Sequence, residues 1–169
     1  MKTERMHIEA LRPEHAAALF GELSDERIYQ HILERPPASV DALEARYTRL
    51  AAGSPRSSER WLNWVVFSKA SALPLGLLQA TVFPEEHRSY IAYILFPSYW
   101  KHGFASEGVA WLLQHLSRDH GVRLAEAYID SRNEASLSVV RRLGFEHRTT
   151  VDTDEGKDLV FAKQLGEAS

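Results

Sequence analysis

The sequence predicts a mixed α/β fold, a mostly antiparallel sheet of six or seven strands flanked by helices. Three observations lead to this prediction. Strand-like segments rich in β-branched and aromatic residues outnumber helical ones. Three of these segments, between positions 61 and 96, follow one another across short turns, as antiparallel strands do. A helical segment that begins near 103 lies between the strand ending at 96 and a further strand over 124–129, which indicates a strand–helix–strand crossover. The 169 residues suit one domain, which we expect to span 1–169.

The first third of the chain carries one strand and three helical segments. Pro13 follows the strand and suits the first turn of a helix, where its missing N–H has no partner to lose. Ser24 or Asp25 can cap a second, short helix, and the Pro36-Pro37 pair ends it because proline removes a donor. Ser39 begins the third helix. The predicted bounds are a strand over 6–11, then helices over 16–23, from the cap to 32, and over 40–52.

The rest of the chain predicts a meander, a long helix, a further strand, a short helix and a final hairpin. Gly103 and Gly121 bound the long helix, whose apolar residues fall on one stripe. Asn133 begins the short helix and Gly144 ends it. A turn at Asp154-Glu155-Gly156 joins the last two strands. The predicted strands cover 61–67, 75–83, 88–96, 124–129, 145–151 and 158–163.

Composition narrows the class of protein. The formal net charge is -3 and the sequence pI is near 6.2, so the basic excess of a nucleic-acid-binding domain is absent. The chain has no cysteine, which excludes disulfides, thiolate zinc sites and a cysteine nucleophile. No run approaches the roughly 20 apolar residues of a membrane span. We therefore expect a cytoplasmic protein, a monomer or homodimer, without metal, nucleic-acid or membrane partners.

The most informative stretch is FPSYWKHGFASEGVAWLLQHL, residues 96–116. A strand ends at Phe96, a loop follows, and a helix begins near Gly103. The first turn of a helix has amide N–H groups without partners and a partial positive charge, and both attract anions. Gly103 lets a ligand approach the backbone, and Lys101 and His102 add donors. The stretch is a candidate phosphate or pyrophosphate site, although a plain strand-to-helix turn with two solvated polar residues has the same pattern.

Two motifs in this sequence resemble those of GNAT-type N-acetyltransferases. The segment 99–105 is similar to their acetyl-CoA turn, Gln/Arg-x-x-Gly-x-Gly/Ala, except that Trp100 holds the Gln/Arg place. That tryptophan, with Glu107, resembles the RimJ/RimL-like branch, which acetylates the N-termini of ribosomal proteins. The segments Asn133-Glu134-Ala135-Ser136 and Arg142-Leu143-Gly144-Phe145 are similar to the Asn-x-x-Ser…Leu-Gly-Phe spacing of that branch. The order of the elements also follows the family.

The resemblance implies a GNAT fold whose fourth and fifth strands splay apart, with acetyl-CoA as co-substrate and no metal. The strand at the splay should pair with the pantetheine arm, and the amides of the turn should hold the pyrophosphate. An ordinary parallel pair of strands is the alternative to the splay. Asn133 should cap its helix and contact the cofactor. The implied cofactor-binding residues are Ile94, Leu95, Phe96, Lys101, His102, Gly103, Phe104, Ala105, Ser106 and Asn133.

The implied reaction is direct attack of a primary amine on the acetyl thioester. It needs a neutral amine, a protonated leaving thiolate and a stabilised oxyanion, for which backbone N–H groups near Leu95 and Phe96 are candidates. About one α-amino group in seven is neutral at pH 7, against about one lysine amine in 2,500. A peptide N-terminus or another weakly basic amine therefore needs little help from a base, whereas a lysine needs a strong one.

Three residues are candidates for acid–base chemistry. Many family members have a tyrosine seven residues after the asparagine, where this chain has Val140, so Ser136 is the nearest polar replacement as a donor to the thiolate. Ser136 is equally a structural residue of the first helical turn. Glu85, in the charged turn before the central strand, is a candidate base or a solvated carboxylate. Tyr93 either lines the cleft or fills the core.

Three functions stay open at this point. The first is an acetyl-CoA-dependent N-acetyltransferase that acts on a protein N-terminus or a small-molecule amine. The second is a non-catalytic acyl-CoA-binding sensor or interaction module on the same fold, which Val140 in the tyrosine position favours. The third is an unrelated α/β phosphate binder. We expect the acceptor pocket from the early helices, 24–52, and the turn around Glu85, neither of which carries a recognisable motif.

Overall fold

The computed structural model describes residues 1–166, which form a seven-stranded sheet and four α-helices; the last three residues of the predicted domain, 167–169, lie outside the described residues. The strands are β1 (Met6–Ala10), β2 (Arg60–Ser68), β3 (Pro74–Phe83), β4 (Arg88–Leu95), β5 (Leu124–Asp130), β6 (Glu146–Thr153) and β7 (Gly156–Gln164). The helices are α1 (His15–Leu23), α2 (Val40–Ala52), α3 (Phe104–His120) and α4 (Glu134–Arg142). The strands lie in the order β1-β2-β3-β4-β5-β7-β6. The predicted mixed α/β architecture is confirmed.

One predicted helix needs correction. The segment from the Ser24 or Asp25 cap to Ile32 is not an α-helix, because its residues Glu26–His31 form a 3-10 helix. Asp25 caps it, since its side chain accepts a hydrogen bond from the N–H of Arg27 at 3.0 Å. The tighter i→i+3 pattern suits short connecting segments such as this one, which the following prolines stop.

The helices cover the two faces of the sheet. Along β2, Trp64 and Val66 pack with buried residues of α3 and α4, whereas Val65 between them packs with buried residues of α1 and α2. This alternation follows from the period of two of a β-strand. The core therefore has two layers, with α3 and α4 on one face and α1 and α2 on the other.

The predicted splay between the fourth and fifth strands is confirmed. All neighbouring strands pair antiparallel except β4 and β5, which are parallel and pair only over 88–90 and 124–126. Beyond Tyr90 and Glu126 the two strands separate, and β5 continues to pair with β7 as far as Asp130. The second half of β4 therefore presents an open edge inside the sheet.

A close backbone approach fixes the other edge of β4. A Cβ atom on Gly76 would lie 2.0 Å from the carbonyl oxygen of Ile94, far inside van der Waals contact. Gly76 thus allows β3 to approach β4 at the level where β4 has left β5.

We expect Gly76→Ala to destabilise the fold by about 2 kcal/mol or more, because the new methyl group must push two backbones apart. Gly21→Ala is the matched control, since Gly21 lies inside α1 and has no atom within 4 Å of its would-be Cβ. That change should stabilise the protein by about 0.5–1 kcal/mol. Urea unfolding measures both, and equal stability of the two variants would contradict the assignment.

Candidate active site

The loop between β4 and α3 ends in an uncapped helix N-terminus. Pro97–Tyr99 form a short 3-10 turn, and Lys101 and Gly103 both have positive φ, +64° and +80°. Gly103 is the N-cap of α3 and offers no side chain to cap the helix. The first-turn amides of α3 therefore lie behind a bare glycine, as an anion-binding turn requires.

A hydrogen-bonded cluster flanks this turn. The carboxylate of Glu107 accepts hydrogen bonds from the hydroxyl of Thr3 at 2.5 Å and from the backbone N–H of Arg5 at 3.0 Å, and it also binds Nε of Arg5 at 2.6 Å. Burial raises the pKa of Glu107, but these hydrogen bonds outweigh burial and hold the pKa below its ordinary value. Glu107 is therefore ionised, as expected of an acidic residue that stabilises a helix start.

The backbone of β4 alternates between its two edges. The N–H of Phe96 donates to the carbonyl of Leu75 at 2.8 Å, and the carbonyl of Phe96 accepts from the N–H of Tyr99 at 2.9 Å. Phe96 is thus not available to pair with a cofactor or to bind an oxyanion through its N–H. Because successive peptide groups point to opposite edges of a strand, Ile94 also faces β3, while Leu95 and Tyr93 face the open edge.

Trp100 occupies part of this open edge. Its indole N–H donates to the carbonyl of Leu95 at 2.7 Å. Of the peptide groups at the splay, the N–H of Leu95 and both groups of Tyr93 are then oriented toward the gap. Pairing with the cofactor stays a prediction, for which this geometry leaves Leu95 and adds the backbone of Tyr93 as candidates.

A cleft of about 260 Å³, here called the α3 cleft, lies beside this edge. Its walls come from the ends of β3 and β4 and from the first two turns of α3. The residues that form it include Gly76, Tyr93, Ile94, Leu95, Phe104, Ala105 and Gly108. Four of the ten predicted cofactor residues line the α3 cleft, namely Ile94, Leu95, Phe104 and Ala105.

Tyr93 and Ser136, both predicted as catalytic, meet across the splay. The hydroxyl of Tyr93 donates to the carbonyl of Ser136 in the first turn of α4 at 3.1 Å. The N–H of Ser136 donates to the side chain of Asn133 at 3.1 Å, which makes Asn133 the N-cap of α4 as expected. Burial raises the pKa of Tyr93 to about 12. Tyr93 is therefore protonated at neutral pH and acts as a donor rather than a base.

A second cleft, here called the α1–α2 cleft, lies on the opposite face of β3 and β4 and encloses about 420 Å³, open to solvent. Leu77, Leu78 and Ile94 line both clefts, so the two lie back to back. The mouth carries an ion pair between Arg46 and Glu34 at 2.8 Å. Residues of segment 24–52, where the sequence predicts the acceptor pocket, supply much of the lining, and the role of the cleft as that pocket stays a prediction.

Two tyrosines of the α1–α2 cleft differ in how their hydroxyls are satisfied. The hydroxyl of Tyr29 donates to the carbonyl of Leu23 at 2.8 Å. The hydroxyl of Tyr47, whose residue is 2% exposed, has no hydrogen-bond partner among the described residues. Burial raises the pKa of Tyr47 well above its ordinary value, so this hydroxyl is a neutral donor. An unpartnered buried donor in a cleft wall is a candidate contact for a ligand.

Comparison with known proteins decides the family. The sequence profile of the acetyltransferase (GNAT) domain family matches residues 5–146. The chain belongs to this family.

Similar proteins carry related names. The chain is 22% identical over 148 residues to the uncharacterized N-acetyltransferase YoaA of Bacillus subtilis, covering 86% of this chain and 82% of that protein. Among solved structures, it is similar to RimL, a ribosomal L7/L12 α-N-protein acetyltransferase in complex with coenzyme A, with TM-score 0.85, 19% identity and 96% of each chain covered. An acetyltransferase from Salmonella typhimurium that modifies the N-terminal serine of L7/L12 gives TM-score 0.85 at 18% identity, with 97% of each chain covered. These neighbours agree with the predicted RimJ/RimL-like resemblance in fold.

Other predicted or possible features lie away from the GNAT site. Glu85 is exposed in the short turn before β4 and lines neither cleft. Ile91 is the first residue of β4 that does not pair with β5. The chain between Glu85 and Ile91 spans on the order of 15–20 Å. Within residues 1–166, no group of three or more metal-ligating side chains is placed to hold an ion. No helix of the described part is long and apolar enough to cross a membrane.

The uncapped turn at Gly103 predicts that Gly103→Ala weakens coenzyme A binding selectively. The methyl group would stand where the ligand must approach the α3 amides, so we expect coenzyme A binding to weaken at least about tenfold, with a stability cost of about 1–2 kcal/mol for the left-handed backbone. Isothermal titration calorimetry measures the affinity.

Gly121→Ala is the control, because Gly121 has φ +65° and caps the opposite end of the same helix. It should lose similar stability and keep full affinity. Equal affinities of the two variants would contradict the placement of the ligand at Gly103.

Proposed function

We propose that this protein transfers the acetyl group of acetyl-CoA to a primary amine of low basicity, and we favour the α-amine of a peptide or protein N-terminus. The observation that carries the proposal is the separation of β4 from β5 directly beside an uncapped α3 N-terminus. A parted strand edge can pair with the amide-bearing pantetheine arm, and the bare turn can hold a diphosphate. Acetyl-CoA supplies the activated acetyl group.

The groups around the clefts support a weakly basic acceptor. Glu34 is the one carboxylate among the described residues that line either cleft, and it is bound to Arg46. Tyr93 is protonated at neutral pH, and Glu85 is remote. An α-amino group is neutral in about one molecule of seven at pH 7, so it reacts without a strong base, whereas a lysine side chain does not.

In this proposal, Tyr93 supplies the hydrogen-bond donor that many family members have as a tyrosine at the position of Val140. Val140 is fully buried in the core, one turn after Ser136 on α4. The phenol of Tyr93 reaches the same helix from the sheet and lines the α3 cleft. A thiol has a pKa near 8.5, so the leaving thiolate needs a hydrogen bond more than full protonation. We assign that hydrogen bond to Tyr93, whose single proton turns from the carbonyl of Ser136 to the sulfur in this proposal, and we assign the N–H of Leu95 to the oxyanion.

The acceptor enters, in this proposal, from the α1–α2 cleft. That cleft touches the α3 cleft through Ile94, which lies at the splay. Its floor is apolar, its mouth carries the Arg46–Glu34 pair, and the hydroxyl of Tyr47 is a buried donor for an acceptor oxygen such as a peptide carbonyl.

Thiol release from acetyl-CoA tests the function directly. A peptide with a free N-terminus should react, and the same peptide with a blocked N-terminus and an internal lysine should not. Thermal stabilisation by coenzyme A with no thiol release for peptides or small amines would favour the sensor instead. Absence of coenzyme A binding would refute the proposal altogether.

Tyr93→Phe should lower kcat about tenfold, the value of one hydrogen bond, and leave KM for acetyl-CoA nearly unchanged. Tyr90→Phe is the control on the same strand, because Tyr90 lines neither cleft. Steady-state kinetics with a reactive peptide measures both. Full kcat in Tyr93→Phe would remove Tyr93 from the chemistry.

Tyr47→Phe should raise KM for the acceptor several-fold while the free protein stays as stable or gains up to about 1 kcal/mol, because no hydrogen bond is lost. Tyr29→Phe is the matched control, since it loses the bond to Leu23 and should lose about 1 kcal/mol. Thermal unfolding and acceptor titration measure these effects. A clear stability loss in Tyr47→Phe would show that its hydroxyl has a structural partner.

A further inference from the structure

The side chain of Arg5 lies at the bare turn although it comes from the opposite end of the sequence. Its Nε binds Glu107 at 2.6 Å, and its Nη1 donates to the carbonyl of His102 at 2.9 Å. The guanidinium carbon lies 4.4 Å from the centre of the Phe104 ring. The contacts with Glu107, His102 and Phe104 together fix the orientation of the guanidinium.

The remaining nitrogen of the guanidinium faces the glycine. Nη2 of Arg5 is 3.4 Å from the position that a Cβ on Gly103 would take. The space that Gly103 leaves open is therefore bordered by an N–H donor of Arg5 on one side and by the α3 amides on the other. An anion seated at these amides would lie within hydrogen-bonding range of the guanidinium.

Charge gives a second reason for Arg5 at this position. Glu107 is ionised in the first turn of α3, where it favours the helix but repels an anionic ligand. Arg5 neutralises that carboxylate through its Nε. Trp100, in the motif place where the family pattern has Gln or Arg, is bound to Leu95 and contributes no charge.

We propose that Arg5 binds the diphosphate of coenzyme A, as a cation supplied from next to the start of β1 where Trp100 replaces the Gln or Arg of the family pattern. This inference rests on the proposed use of acetyl-CoA. The carboxylate of Glu107 and the ring of Phe104 are positioning groups, because they hold the guanidinium in place.

Calorimetry with three probes tests the assignment: coenzyme A, 3′-dephospho-coenzyme A and pantetheine, which lacks the diphosphate. Arg5→Ala should weaken binding of the first two equally, by about tenfold to a hundredfold, as expected for charge-assisted hydrogen bonds, and leave pantetheine unchanged. The difference from wild type should shrink as salt is raised, because 44% of the side chain is exposed.

Arg12→Ala is the matched control, since Arg12 flanks the other end of β1 and pairs with a glutamate, Glu9, at 3.2 Å on the surface. It should bind all three probes as wild type does. If Arg5→Ala fails to fold, Arg5→Lys carries the test, with a several-fold loss confined to the two diphosphate probes.

Three results would overturn the inference. Unchanged affinity of Arg5→Ala for coenzyme A would remove Arg5 from the site. Equal losses for all three probes would mean that Arg5 only shapes the turn, and a loss for coenzyme A alone would move Arg5 to the 3′-phosphate. If the wild-type protein binds no coenzyme A, the proposed function and this inference both fail. In the three results above the wild type still binds coenzyme A, so only the inference fails.

Discussion

The separation of β4 from β5 after Tyr90 and Glu126 is the constraint on which the rest of the site depends. A sheet interior normally pairs its peptide groups, and each buried group left unpaired costs about 1–3 kcal/mol. Trp100 limits this cost, because its indole N–H satisfies the carbonyl of Leu95. Gly76 allows β3 to lie close on the far edge, and the side chain of Tyr93 reaches α4 across the gap. The protein's own contacts therefore hold the gap open.

The start of α3 carries two opposing electrostatic requirements. The helix favours an acidic residue in its first turn, and Glu107 supplies it, but a diphosphate at the same turn requires positive charge. Arg5 reconciles the two, because a single guanidinium binds the carboxylate and still faces the bare glycine. If Arg5 binds the diphosphate as proposed, the arrangement couples β1, an edge strand of the sheet, to the cofactor. Changes near the start of β1 should therefore alter affinity as well as stability.

Local spacing predicted the parts of the site that depend on backbone conformation. Gly103 and Asn133 were found from sequence because an N-terminal cap and a left-handed turn each need particular residue types within a few positions. Phe96 was assigned incorrectly to the open edge, because which edge a peptide group faces depends on register with β3. Arg5 gave no signal at all, since it is 102 residues from Glu107.

The two clefts differ in the kind of group that recognises a ligand, and this explains why only one leaves a motif. On the α3 side, the candidate contacts are backbone amides and a strand edge, whose exposure demands glycine at a fixed place. On the α1–α2 side, the candidate contacts are side chains such as Tyr47, Arg46 and Glu34, whose spacing along the chain follows no motif. The unpartnered buried hydroxyl of Tyr47 is a signal of this second kind, which the structure gives and no local sequence pattern carries.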